Sequence, residues 1–409
     1  FYAEHNFICN ACQDIVSFGC SGGDLDEFKG CYDETGKEYT DVCLKARNNV
    51  HMIQDLCEKM ESYEICELMD MCGDWIDEEF DRIPAYEPEI VYAINNDSTS
   101  TWKAELPERF KLMTIGDVRR TTTGSVVDSK HTYKLNPDTT TTRKAAPSSF
   151  DSRTEWSYCA DIIGHIRDQS ACGSCWAFGS TEAFNDRTCI VSGSTNTFKQ
   201  LLSVEDTTAC CTGSACGYSG GCNGGQPTSA WNWFKLDGVP SGGDYPDLNK
   251  TDTCEPYTLP PCAHHEPSNE YPNCPSREYR TPSCVKKCLN TGYEKSWSND
   301  KHYSQGAYSV RGVNNIMEEI ATYGTVSASF TVYQDFLTYK SGVYVHKTGG
   351  AVGGHAIKII GYGTENGQDY WLCANSWNDS WGDNGYFKIL KGVNECGIES
   401  GVGAGHPKQ

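Results

Sequence analysis

Two cysteines three residues apart, Cys172 and Cys175, lie in the stretch RDQSACGSCWAFGS (167–180). Three chemistries use a C-x-x-C: half of a zinc site, a dithiol redox pair, or a structural cysteine beside a reactive one. A zinc site needs a second C-x2-C or an H-x3–5-H. The downstream candidates, Cys210-Cys211, CGYSGGC (216–222) and CVKKC (284–288), lack that regular spacing, so no metal is expected. A redox pair follows a strand in a βαβ unit, and no such unit follows Cys175. The third reading needs a thiolate and a base. Cys175 opens a predicted helix, whose N-terminal dipole favours an anion. His355, in VGGHAIKIIGYG, lies beside two glycines that let another chain approach. Asn375 is placed to orient the far imidazole nitrogen, Trp377 to shield that bond from water, and Gln169 to join the Cys175 backbone N–H in an oxyanion hole. On spacing alone, His355 also fits a satisfied core histidine and Asn375 a turn residue.

Bringing positions 169, 175, 355 and 375 together requires two kinds of scaffold. CWAFGSTEAFNDRTCIV reads as a helix with Ala177, Phe178 and Phe184 facing inward. From 325 to 390 the chain alternates in strand fashion: TVSASFTVY, SGVYVHK, HAIKIIGYG, DYWLCANSW, GYFKIL. A helical half followed by a β half predicts a two-lobed α+β domain over residues 147–409. Residues 84–146 carry no cysteine and contain the runs RRTTTGS and PDTTTTRKAAPSS, which read as a prosegment and Thr-rich linker. Two basic pairs, Arg119-Arg120 and Arg143-Lys144, stand there where a protease could cut. Residues 1–83 hold eight cysteines with helical apolar spacing, which predicts a small disulfide-rich helical domain.

Twenty-three cysteines in 409 residues point to an oxidising setting, secreted or in a lysosome-like acidic compartment. Asn96, Asn249 and Asn378 each open an N-x-S/T sequon. The chain starts FYAEHNFIC without a charged-then-apolar leader pattern, so any signal peptide is expected to have been left out or removed. No apolar run is long enough to span a membrane. Of the net charge of −21, residues 1–88 carry −15 (21 acids, 6 bases). No basic stripe exists for nucleic acid.

DQSACGSCWAF resembles the papain family of cysteine proteases, whose C-G-[SA]-C-[WY] signature it contains. GCNGG (221–225), GGHAIKIIGYG and YWLCANSWNDSWGDNGYFKI match the same family in order and spacing. CEPYTLPPCAHHEPSNEYPNC (254–274) is similar to the occluding loop of the cathepsin B branch, and NNDSTSTWKAEL (95–106) to its prosegment. The resemblance implies a peptidase without a cofactor, acting on proteins and peptides and held latent by its own prosegment. It implies Cys175 as nucleophile, His355 as base, Asn375 as its orienter and Gln169 in the oxyanion hole. Gly224, Gly225, Gly354, Trp377 and Gly401 would face substrate. The implied disulfides are Cys159–Cys189, Cys172–Cys222, Cys210–Cys284, Cys211–Cys216, Cys254–Cys288 and Cys262–Cys274, leaving Cys175, Cys373 and Cys396 free. In the loop, His265 would hold a substrate's C-terminal carboxylate, giving dipeptidyl carboxypeptidase activity, and His264 would dock on Asp168.

Three features depart from that branch. No Lys or Arg lies between His265 and Cys274, where Glu266 and Glu270 stand. The body position that usually anchors the loop is Ser380. Gly401 occupies the place of a glutamate deep in the S2 pocket. These predict mainly endopeptidase activity and a preference for apolar P2 residues. The N-terminal module resembles the saposin-like family, which implies Cys9–Cys72, Cys12–Cys66 and Cys31–Cys43, with Cys20–Cys57 added, and contact with lipid. An unrelated disulfide-rich module fits the same spacing, and GCSGGDLDEFKG departs from the saposin pattern.

Overall fold

The computed structural model describes residues 82–125, 143–213, 216–217, 219–261 and 278–408, together with Cys12, Val16 and Cys20. Cys12 and Cys20 are helical and disulfide-bonded. The remaining cysteines of the N-terminal module, and His264, His265, Cys262 and Cys274 of the 254–274 loop, lie outside the described residues. In chain order the described helices are α1 (Pro88–Asn96), α2 (Ile115–Thr122), α3 (Ser152–Glu155), α4 (Ala160–Ile163), α5 (Cys175–Ser192), α6 (Val204–Cys210), α7 (Pro227–Leu236) and α8 (Val313–Tyr323). The strands are β1 (Trp102–Ala104), β2 (Phe150–Asp151), β3 (Leu201–Leu202), β4 (Ser241–Gly242), β5 (Tyr308–Ser309), β6 (Val326–Tyr333), β7 (Tyr339–Tyr344), β8 (Ala351–Glu365), β9 (Gln368–Ala374), β10 (Tyr386–Leu390) and β11 (Gly403–Ala404). Among the described residues no helix is long and apolar enough to cross a membrane.

Two apolar cores result. One gathers Trp176, Phe178, Phe184, Trp231 and Phe234 among α5, α6 and α7. The other lies under a nine-stranded sheet of order β1-β7-β10-β9-β8-β6-β11-β5, with β2 on β8, and contains Phe330, Phe336, Trp371, Trp377 and Phe387. The two halves meet where α5 crosses β8. Gly179 makes that crossing close: a Cβ there would stand 2.9 Å from the Ile357 carbonyl oxygen. This contact sets Cys175, one turn earlier on α5, against the β8 residues around His355.

The α5 pattern predicts one inward face, but the helix is buried on every side from Cys175 to Cys189. The sheet covers what would otherwise be its polar face, so Glu182, Asp186 and Arg187 need internal partners. Lys358 of β8 reaches Asp186 at 3.0 Å and Glu182 at 3.7 Å, and Arg187 reaches Glu319 of α8 at 2.9 Å. Burial raises the carboxyl pKa of both Asp186 and Glu182, the latter to about 7. Lys358→Ala should therefore destabilise the fold by about 3–5 kcal/mol at pH 7, because two buried carboxylates lose their shared cation. The loss should shrink toward pH 5, where those acids can take up protons. Urea unfolding of the variant at the two pH values checks both points.

The structure joins Cys159–Cys189, Cys172–Cys222, Cys210–Cys284, Cys211–Cys216 and Cys254–Cys288, and leaves Cys175, Cys373 and Cys396 as thiols among the described residues. The bond from Cys172 to Cys222 ties the loop before α5 to GCNGG.

The reading of RRTTTGS as poor core material does not hold. Residues 115–122 form α2, opened by a capping box between Thr114 and Asp117. Thr121, Thr122 and Thr123 return their hydroxyls to the carbonyls of Asp117, Val118 and Arg119. Their polar groups are thus satisfied locally and their methyls can be buried. Upstream, Asn95 of α1 brackets Ala104, and β1 adds antiparallel to β7 with Trp102 opposite Gly342. Trp102 is buried beside Tyr344 and donates to the Val345 carbonyl. The segment is therefore a strand and two helices bound to the peptidase sheet. Of the two basic pairs, Arg119-Arg120 lies within α2, whereas Arg143-Lys144 lies in irregular chain with Lys144 exposed. Arg120, in the last turn of α2, pairs with Asp117 at 2.8 Å, and Arg143 pairs with buried Glu319 at 2.7 Å.

Candidate active site

Cys175 is the first residue of an 18-residue helix, and its Sγ accepts the Ala356 backbone N–H at 3.4 Å. His355 precedes that donor on β8. Its Nε2 lies 2.7 Å from Asn375 Oδ1, which also accepts the Ser376 backbone N–H at 2.8 Å. The backbone donor identifies that atom of Asn375 as oxygen, so Nε2 must carry the imidazole proton and Nδ1 the free lone pair. No described residue hydrogen-bonds Nδ1. The ring sits 4.7 Å from Trp377 and 5.9 Å from Phe330, which keep water from the bond to Asn375. Gln169 is fixed through both its side chain and its backbone. Its side-chain N–H donates to the Cys172 carbonyl at 2.8 Å, its Oε1 accepts from Ser376 Oγ at 2.8 Å, and its backbone carbonyl accepts from Tyr257. An amide has two N–H donors, and the Cys172 carbonyl engages one of them.

The cleft is filled by the end of the N-terminal segment. Gly124 and Ser125 both donate their N–H to the Gly354 carbonyl, and the Gly124 carbonyl accepts the Gly225 N–H at 2.8 Å. The pairing of Ser125 with Gly225 is parallel. Gly225 lies on the Trp176 ring, where a Cβ would come within 2.6 Å. The Gly224 carbonyl accepts the Gly220 N–H at 2.8 Å. Gly401 lies beside Ser329, whose Oγ is 2.8 Å from Ser125 Oγ. Trp377 donates its indole N–H to the Thr122 carbonyl.

Three groups at this site escaped the sequence reading. Arg109 and Phe110 come from the segment before α2. Arg109 is buried, donates to the Trp377 carbonyl at 2.7 Å and faces Asp168 at 3.7 Å. Phe110 packs edge-on to Trp377. Asp168, expected to receive His264, is engaged by Arg109, Asn378 and the Ser170 N–H. Ser376, which orients both Gln169 and Asn375, is the third. The ERF triplet before a capping box offered a faint signal for the first two; Ser376 offered none.

Burial sets the proton state. It pushes the Cys175 thiol up to about 12, against hydrogen bonds that favour the anion. It pushes His355 down to about 4, and the charge of Arg109 adds to that fall. In the closed state burial thus favours the neutral thiol and the neutral imidazole.

Residues 146–406 match the model of the papain family cysteine protease. The chain is 47% identical over 335 residues to cathepsin B-like cysteine proteinase 4 of Caenorhabditis elegans, covering 80% of this chain and 94% of that protein. It is 42% identical to a cathepsin B-like cysteine proteinase of Schistosoma japonicum, covering 79% and 92%. Among solved structures, proCathepsin B S9 from Trypanosoma congolense superposes with a TM-score of 0.65 at 32% identity, covering 80% of this chain and all of that one. With a thiol, an imidazole and an amide gathered beneath a bound N-terminal segment, the chain belongs to the papain family of cysteine proteases and is a cathepsin B-like cysteine peptidase in its proenzyme form.

Proposed function

We propose that this proenzyme hydrolyses peptide bonds with Cys175 as nucleophile and His355 as the group that takes and returns its proton. One observation carries the reading. Cys175 Sγ sits at a helix N-terminus beside β8, with the His355 lone pair at Nδ1 unclaimed and Nε2–H held by Asn375. Removal of residues 84–125 lets water reach the pair. The thiol proton then moves to His355, and thiol pKa values of roughly 3–4 are typical of such pairs. The thiolate attacks the peptide carbonyl, and charge gathers on its oxygen within reach of the Gln169 amide. The C–N bond breaks as the imidazolium protonates the leaving amine, giving a thioester. Water, deprotonated by His355, attacks the thioester and regenerates the thiol and a carboxylic acid.

Latency in this reading has two parts. Gly124 and Ser125 occupy the backbone partners that substrate needs, and the charge of Arg109 disfavours imidazolium at His355. Glu266 and Glu270 in the 262–274 stretch, with Ser380 on the body, favour endopeptidase over dipeptidyl carboxypeptidase activity, because acids repel a substrate carboxylate. Gly401 leaves the P2 pocket without a carboxylate, so apolar P2 residues should be preferred over arginine.

Titration with a cysteine-directed epoxide during acid incubation, with mass spectrometry of the label, tests the assignment. Label should appear on Cys175 and rise as residues 84–125 are lost, and the activated sample should cut internal bonds faster than it releases dipeptides. Absence of label after complete trimming would refute the nucleophile, and dominant dipeptide release would refute the endopeptidase reading.

A further inference from the structure

Strand β6 runs Val-Ser-Ala-Ser-Phe-Thr-Val-Tyr, and its alternation sorts two kinds of side chain. Ala328, Phe330 and Val332 enter the core beneath the sheet. Ser327 and Ser329 face the other way, toward α7 and the cleft. Ser327 accepts the Trp231 indole N–H at 2.8 Å. Ser329 Oγ instead meets Ser125 Oγ at 2.8 Å, and both side chains are buried in that contact. Ser125 is also the residue whose backbone pairs with Gly354 and bridges to Gly225. A residue seated on those two glycines thus directs its side chain at Ser329. Gly401 stands beside it, where a Cβ would be 3.6 Å from Ser329 Cβ.

We infer that Ser329 is a specificity-determining residue, whose hydroxyl hydrogen-bonds P2 side chains carrying a hydroxyl of their own, as Ser125 does in the proenzyme. The inference rests on the peptidase reading above and refines its apolar P2 pocket. When residues 84–125 depart, Ser329 loses its partner while staying recessed in the cleft. An apolar P2 side chain leaves that hydroxyl unpaired, whereas threonine restores the bond in the volume of valine. A wholly apolar pocket disfavours an added hydroxyl, and Ser329 offsets that penalty.

The test compares activated wild type with Ser329→Ala on peptides identical except for threonine or valine at P2. The Thr/Val ratio of kcat/KM should fall about fivefold in the variant, the usual worth of one neutral hydrogen bond. Active-site titration counts the folded enzyme in each sample, so a poorly folded variant does not distort the ratio. Turnover with an unchanged Thr/Val ratio in both proteins overturns the role of Ser329 alone. No turnover of any peptide by titratable wild type overturns the peptidase reading beneath it.

Discussion

Replacing Gln169 by alanine is expected to lower kcat of the activated peptidase by about 10²–10³-fold, with kcat/KM falling in step, as loss of one oxyanion donor does elsewhere. The size follows from how firmly the amide is held. Ser376 Oγ and the Cys172 carbonyl lock both ends of it, and the backbone N–H of Gln169 donates to the Ser376 carbonyl at 2.9 Å. A donor so fixed needs no reorganisation when charge appears on the substrate oxygen. The epoxide should still label Cys175 in the variant, because ring opening develops no carbonyl oxyanion. Steady-state kinetics normalised to epoxide-titrated sites separate the two effects. A rise in KM with kcat unchanged would mean that Gln169 only binds substrate.

The reactive residues were legible because their chemistry restricts their types. Cys175, His355 and Asn375 stand in stretches where glycine and tryptophan recur at fixed offsets, and the β6–β10 region reads as strands from alternation. The bound segment was far less legible. RRTTTGS scores as linker because threonine is polar by composition, yet each of its threonines is satisfied by a carbonyl one turn back and buries its methyl. Tertiary contact decides that outcome, and no local pattern encodes it. Arg109 shows the same limit: a lone arginine reads as surface until Trp377 and Asp168 are placed around it. The buried ions of α5 escaped notice for a related reason. Their partners, Lys358 and Glu319, lie more than a hundred residues away.

Gly124→Val should release the active cysteine without any cleavage. Gly124 has φ of +142°, outside the range side chains accept, and a Cβ there would fall 2.0 Å from the Gly173 carbonyl oxygen. Gly173 cannot retreat, since its own Cα faces the Cys222 carbonyl and the Cys172–Cys222 disulfide anchors the loop. The segment must move instead. Overpacking and backbone strain each cost about 1–3 kcal/mol. About 3 kcal/mol in favour of the open state raises its population by roughly 10²-fold. Opening also changes the reactivity of the thiol, which is protonated in the closed state with a pKa near 12. The rate of epoxide labelling of the intact chain at pH 7 should therefore rise by about two orders of magnitude. Ser125→Ala supplies the contrast, because it removes only the bond to Ser329 and should raise labelling by about fivefold. Equal labelling of Gly124→Val and wild type, with the chain uncleaved in both, would mean that Gly124 and Ser125 do not hold Cys175 closed. Latency would then reside in Arg109 and the sheet pairing of β1, and the search for the releasing step would move to those contacts.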